Sequence, residues 1–351
     1  MKYAYHTCGV APLLYPTVSH FGIFNKSQQF VIDIPQMFPY KGDWGSITST
    51  NLLFEEEHVM PDELKIAWLS IVEKRFYYYG LQFDDNKLVA LWLQTDNLNR
   101  VIPYSHIVVG MAPFGQVAIW ISCSEKSRIC SWDRGVQIEI PMSKFCPTIP
   151  DQALDDYCGF FLQNDDEVRD SMEKHGLPSP NLFDNYMKQF TYRYQVIFEH
   201  WDEDDEKWMK YNDEKDEMIP EFEYIEESLF DGTHDKLHDG GLMKYHEAGK
   251  PKKLVLKWHV KKSEYTANFW FEDERIHEVF DKLYGAHHET RTDFIIRIDA
   301  ENRKYELALY RYGLKEPQVI SEDVYQLLVF KNTFEDFRSD NYNQKSGAWI
   351  W

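Results

Sequence analysis

Cysteine is scarce in this 351-residue chain: Cys8, Cys123, Cys130, Cys146 and Cys158 show no C-x-x-C spacing, and the last 193 positions hold none. An odd, scattered set is poor material for a disulfide framework or a cysteine-rich zinc site, and it predicts reduced thiols in a cytoplasm. No apolar run approaches the roughly 18 to 20 residues that a membrane-spanning helix needs. The opening "MKYAYHTCGVAPLLYP" lacks a basic region followed by an apolar stretch and lacks a small-residue cleavage site, so no secretory leader is expected. Cys8 also lacks the apolar run that precedes a lipoprotein cysteine. There is no G-x-S-x-G, P-loop or G-x-G-x-x-G, which leaves the phosphate and acyl-transfer templates nothing to hold. Positive charge is short as well, with 38 Lys and Arg against 58 Asp and Glu and a net charge of −20. A phosphate backbone would be repelled, which argues against nucleic acid as a direct partner.

What is present is core material, at 43% hydrophobic and 16% aromatic residues, ample for two ordinary domains or one large one. "PDELKIAWLS" (61–70) alternates Leu64, Ile66 and Trp68 as one side of a strand, and "KRFYYYGLQF" (74–83) reads as its aromatic partner. "DDNKLVALWLQT" then places Leu88, Leu91, Trp92 and Thr95 at helical spacing, and "SHIVVGM" and "QVAIWIS" follow as two more strands. The same ββαββ order returns in "PKKLVLKWHV" (251–260), "EYTANFWF", "EDERIHEVFDKLY", "DFIIRI" and "KYELALY". The strand residues recur at a shift of 190, and Ile276, Val279, Phe280 and Leu283 recur 188 after the first helix set. The expected fold is α+β: two duplicated ββαββ units, mainly antiparallel with one helix each, plus an acidic inter-unit hairpin and a C-terminal helix. That last helix is expected in "SEDVYQLLVFKNTFEDFRS", with Ser321 as N-cap and Glu322 and Asp323 in its first turn. The expected divisions are 1–150, 151–250 and 251–351. Trp68 and Trp258 read as core residues, Trp349 and Trp351 as side chains that pack back on a domain, and "GDWGS" (42–46) as a tight turn with a buried Trp44.

The acid is unevenly spread. Residues 199–227 hold 14 acidic and 3 basic side chains, a balance of −11 that is more than half the net charge. "TYRYQVIFEHW" alternates Tyr192, Tyr194, Val196 and Phe198, "DEDDE" (202–206) breaks the pattern, and "KWMKYN" resumes it, so the densest acid is expected on a hairpin tip. The D-x-D spacing lacks the glycine turn and closing Glu of an EF-hand calcium loop. A solvated face and a recognition surface for a basic partner both remain open.

"HDKLHDGGLMKYH" (234–246) comes close to the zinc-protease signature, in which two imidazoles share a helix face and a Glu polarises the metal-bound water. Here Asp235 takes the Glu position, Lys244 stands where a third ligand would fall, and the glycine-bracketed segment is short for a helix. No metal and no cofactor are expected, and His234 and His238 read as part of a polar connector. His287 and His288 read as a solvent-facing turn.

The stretches "YIEESLFDGTHDKLHDGGLMKYHEAGKPKKL", "FDKLYGAHHETRTDFIIRIDAENRKYELALYRYGLKEP" and "RSDNYNQKSGAWIW", with "GDWGS" and "MPDELKIAWLSIVEKRFYYYGLQF" nearer the start, resemble a bacterial family catalogued as a domain of unknown function, number 2931. The resemblance carries over no catalytic residues. Some relatives look like immunity proteins, encoded beside interbacterial toxins that they bind and neutralise, and many are envelope lipoproteins. The missing leader departs from the lipoprotein pattern, so the resemblance implies a non-enzymatic cytoplasmic protein that meets a protein partner, a basic toxin, there. The acidic stretch supplies the expected partner-binding residues: Trp201, Asp202, Glu203, Asp204, Asp205, Glu206 and Trp208, then Asp213, Glu214, Asp216 and Glu217. Two other classes remain open, a metal-dependent hydrolase at His234 and His238 and a structural envelope scaffold.

Overall fold

Alternating aromatic and β-branched residues favour strands over most of this chain, and the computed structural model contains twenty-three strands and six α-helices among its described residues. Those residues are 1–34, 40–47, 57–95, 100–146, 149–210, 220–238, 243–285, 287, 289–333 and 336–342. The chain divides into two compact units, Met1–Asp184 and Asn185–Trp351. The divisions expected at 150 and 250 do not coincide with this boundary, because helices after 150 belong to the first unit and strands from 190 onward belong to the second.

The first unit runs β1 (Lys2–Ala4), β2 (His6–Val10), β3 (Thr17–Lys26), β4 (Gln29–Asp33), β5 (Glu57–Val59), β6 (Glu63–Ser70), β7 (Arg75–Gln82), α1 (Asp85–Trp92), β8 (His106–Met111), β9 (Gln116–Ser122), β10 (Ser127–Arg134) and β11 (Val136–Ile138). Helices α2 (Met142–Phe145), α3 (Leu154–Gln163) and α4 (Asp166–His175) follow, and α5 (Leu182–Tyr186) straddles the boundary. Its sheets have the orders β11-β7-β6-β3-β4 and β10-β9-β8-β2, with a small β1-β5 pair. The β2–β8 pairing is parallel, which a strand brought in from far upstream permits. Asp84 caps α1 by accepting from the Asn86 N–H at 3.0 Å, and Leu88 and Trp92 of that helix join Leu64, Ile66, Trp68, Ile107 and Ile119 in the core. A smaller apolar cluster covers the other face of the β6–β7 sheet, where Val18, Leu69 and Phe76 meet Met142, Phe145 and Cys158. Trp44 is buried as expected and packs edge-on to Trp120 at 4.9 Å.

The second unit runs β12 (Phe190–Asp202), β13 (Lys207–Lys210), β14 (Glu221–Leu229), β15 (His234–Leu237), β16 (His246–Ala248), β17 (Pro251–Val260), β18 (Ser263–Phe271), α6 (Asp273–Tyr284), β19 (Thr292–Asp299), β20 (Tyr305–Arg311), β21 (Gln318–Val319), β22 (Tyr325–Thr333) and β23 (Asp336–Tyr342). One sheet is β15-β14-β17-β18-β22-β23; the other is β13-β12-β19-β20-β21, with β16 also on β12. β12 pairs with β19 in parallel. Leu254, Leu256, Trp258, Ile276, Phe280, Phe294 and Ile296 fill the core between them.

Local geometry recurs in the two units. Trp68 stands opposite Tyr77 and stacks on it at 5.6 Å; Trp258 stands opposite Tyr265 and stacks at 5.6 Å. On the preceding strand a bulge follows the residue paired with each tryptophan, inserting His20 after Ser19 and Glu223 after Phe222. Tyr5 donates to the Val59 carbonyl and Tyr192 to the Gly249 carbonyl, each at 2.8 Å and each two residues before a strand-leading proline.

The expected C-terminal helix is a correction. Residues 322–324 form a single 3₁₀ turn, and Tyr325–Thr333 is a strand along the whole of β18. Tyr325, Leu327 and Val329 are buried at the strand period of two, and the pairing covers a nine-residue edge that would otherwise stand open. "VYQLLVF" fits either period, and the waiting edge decides it. Trp349 and Trp351 lie outside the described residues.

Because Trp258 is fully buried at the centre of the second core, Trp258→Ala is expected to destabilise the protein by roughly 3 to 5 kcal/mol through the cavity it leaves. Chemical denaturation followed by far-UV circular dichroism measures this, and a loss under about 1 kcal/mol would contradict the assigned core.

Candidate functional site

β12 is thirteen residues long, yet only Tyr192 to Glu199 pair with β19, so its last three residues run past the parallel partner and, among the described residues, pair with β13. The extension is the hairpin expected from the sequence. Its turn is set by Asp202, whose Oδ1 accepts from the N–H groups of Asp204 at 3.1 Å and Asp205 at 3.2 Å, the local bonding that suits Asp to turns. Glu203, Asp204, Asp205 and Glu206 are exposed at the tip, and Asp202 is half-buried at its start. Lys207 pairs with Asp205, and Arg303 Nη1 lies 3.4 Å from Glu203 Oε1.

Trp201 and Trp208 are cross-strand partners at the base of the tip, with ring centroids 5.2 Å apart and both side chains half-buried. The Trp201 N–H donates to Asp299 Oδ1 at 2.9 Å, and the Lys304 ammonium lies 5.5 Å from the Trp201 ring centroid. Asp299 is fully buried and also accepts from the Arg303 N–H at 3.1 Å. The β19–β20 turn thus anchors the hairpin base while the carboxylates project beyond it. Asp213, Glu214, Asp216 and Glu217 lie outside the described residues.

His234 begins β15, and His238 follows that strand directly. At about 3.3 Å rise per residue, two positions four apart on an extended chain stand roughly 13 Å apart; a helix turn would bring them within reach of one metal. The shared helix face that the zinc signature depends on is therefore missing, and His238 instead packs edge-on to Tyr224 at 5.7 Å. His287 is exposed, and His288 lies outside the described residues.

Two arrangements escaped sequence reasoning. Arg303, Lys304 and Asp299 sit about 100 residues from the hairpin they support, and no local pattern links them to it. On β14, β17 and β18, Glu223, His259 and Glu264 converge on one half-buried patch, with all three donor atoms within 4.8 Å of one another. The spacing of Lys257 and His259 was legible as one strand face, but the bulge that inserts Glu223 was not.

In the first unit His6 and His106 are opposite residues of the parallel β2–β8 pair, with rings 5.4 Å apart. Burial first, and the neighbouring His6 second, hold His106 down to about 4 from 6.5. The folded state thus refuses a proton that the unfolded chain accepts below 6.5, so this stability is present above 6.5 and is lost as pH falls towards 4. The melting temperature is expected to fall across that window, and to fall less steeply in His106→Gln. Equal slopes for the two proteins would contradict the assignment.

The family model described as "Protein of unknown function (DUF2931)" matches residues 2–180, half of the chain and nearly all of the first unit. No curated protein and no solved structure matches. On the extent of the family match, the chain belongs to the DUF2931 family.

Proposed function

We propose that this chain is a non-enzymatic binding protein that captures a basic protein partner through the β12–β13 hairpin, as an immunity protein captures an interbacterial toxin in the cytoplasm. The observation that carries the reading is the pairing of two unlike features at one place: consecutive carboxylates on an exposed tip, and a cross-strand tryptophan pair at its base. Exposed charge of one sign raises encounter rates and excludes wrongly charged partners, whereas tight binding comes from desolvated aromatic anchors. The anchoring through Asp299 limits the ordering cost on binding. The likeness of some relatives to immunity proteins is in keeping with this reading.

We also infer that the two units descend from one ββαββ ancestor. The recurring Trp–Tyr stack, the bulge beside it and the tyrosine-to-carbonyl bond before each proline support this reading. On it, the hairpin is an elaboration of the second unit, since β12 corresponds to the short β1 and β2 segments of the first.

The test is association kinetics with the product of a neighbouring toxin-like gene, at low and high salt, for wild type and for Asn/Gln substitutions across 202–206. Asn at 202 keeps the acceptor that shapes the turn. Association of the substituted protein is expected to slow about tenfold at low salt, with a flatter salt dependence and a dissociation rate within about twofold of wild type. Association unchanged at both salts would return the hairpin to a solvated turn.

A further inference from the structure

The outer face of the β14–β17–β18 sheet carries a donor set that the binding reading does not use. Opposite one another across the strands are Glu221, His259 and Glu264, and the bulge on β14 inserts Glu223 beside them. A bulge places an extra residue and re-aims its side chain. Here the result is a Glu223 Oε2 that lies 2.8 Å from His259 Nε2, with Glu264 completing a set whose donor atoms all fall within 4.8 Å. These three side chains are 38, 30 and 20% exposed, so they have room to adjust while the backbone register holds their origins in place.

The first unit shows what this face becomes without such a set. The corresponding cross-strand row is Val18, Leu69 and Phe76, the bulged residue is His20, and the face is an apolar cluster covered by α2 and α3. His20 there packs its ring against Phe145 at 5.2 Å. A bulge at this point is therefore compatible with an ordinary packed face, and what distinguishes the second unit is the chemistry placed on it. Two carboxylates and an imidazole from three separate strands replace residues that elsewhere make core.

We propose that Glu223, His259 and Glu264 form a binding site for a divalent transition metal of the zinc class, stapling β14, β17 and β18 together. Zinc takes imidazole nitrogen and carboxylate oxygen at about 2.0 to 2.2 Å, and tetrahedral ligands at that distance stand roughly 3.4 Å apart. The His259–Glu223 separation is already inside that value, and the remaining donors close by about 1.4 Å at most through rotation of long Glu side chains. Three protein ligands leave one position for water, the open arrangement of zinc sites that do not depend on four protein donors. Lys257 is the group that stands in the way: its Nζ lies 2.9 Å from Glu264 and 3.4 Å from Glu223. The monovalent ammonium pairs with both carboxylates but offsets only one of their two negative charges, and a divalent ion displaces it at the cost of those two ion pairs. Asn332 Nδ2 also approaches Glu264 Oε1, at 3.4 Å, and must yield as well.

Lys257 makes the inference testable from both sides. The full-length protein, stripped with chelator, is titrated calorimetrically with zinc chloride alone, and its melting temperature is read with and without one equivalent of zinc. One site per chain is expected, with a rise in melting temperature because the metal binds only the folded arrangement. His259→Gln and Glu264→Gln are each expected to weaken binding at least tenfold, while Lys257→Met tightens it severalfold by removing the competing cation. The double variant His234→Ala with His238→Ala is expected to bind as wild type does. Circular dichroism confirms folding of each variant, and the half-exposed positions make folding failure of all four a poor explanation of the pattern. The proposal is overturned by absence of saturable one-to-one binding in wild type, by equal affinity in His259→Gln, or by loss of binding in the 234/238 variant. The outcome is independent of the hairpin, so it leaves the proposed partner binding untouched in either direction.

Discussion

The cross-strand stack of a tryptophan on a tyrosine organises each half of this protein. Trp68 on Tyr77 and Trp258 on Tyr265 both sit at 5.6 Å, each tryptophan fully buried. An indole needs a large flat neighbour to fill the space beside it, and in a sheet that neighbour is the directly opposite residue. Once the pair is placed, register follows on both sides, because a one-residue slip would turn the entire apolar row to the wrong face. The bulge on the preceding strand then lets that strand turn past the indole, and the helix after the hairpin closes the layer with Leu88 and Trp92 in one unit and Ile276 and Phe280 in the other.

Much of this was legible in the sequence wherever one period dominated. The alternation in 61–70 and 251–260 and the i, i+3, i+4, i+7 set of α6 needed no tertiary information. What escaped had a nonlocal cause. The stretch 325–333 is a strand because β18 offers it an edge, and β2 and β12 enter their sheets in parallel from well upstream, as partners of strands that periodicity identifies but cannot pair. The site followed the same rule. The hairpin tip was readable from its break in alternation, whereas Asp299, Arg303 and Lys304 beneath it and the Glu223–His259–Glu264 convergence depend on which strands become neighbours. The histidine pair 234/238 looked like chemistry only on the assumption of a helix, and the extended backbone of β15 removes that assumption.

Charge in the second unit is arranged with a division of labour. Where a carboxylate is buried it is bonded: Asp231 receives Thr233 N–H at 2.9 Å and the Gln189 amide at 2.7 Å, Glu227 receives the Tyr194 hydroxyl at 2.8 Å, and Asp299 receives Trp201 N–H and Arg303 N–H. Such groups specify local geometry, since an unbonded buried carboxylate would be costly. The tip carboxylates of 203–206 carry less of that structural duty, and substituting them is correspondingly cheap for the fold. Acid concentrated where it contributes little to stability is the physical basis for assigning it to encounter with a partner.

The central proposal is that the β12–β13 hairpin forms the contact face for a protein partner. Hydrogen exchange of the full chain, followed by mass spectrometry with and without the protein encoded beside it, tests this most directly, because backbone amides report where a partner sits without altering any side chain. The account expects new protection centred on residues 199–210 and on the supporting 299–304 turn. Protection confined to other segments, with the hairpin amides exchanging at the same rate in the complex as in the free protein, would contradict it.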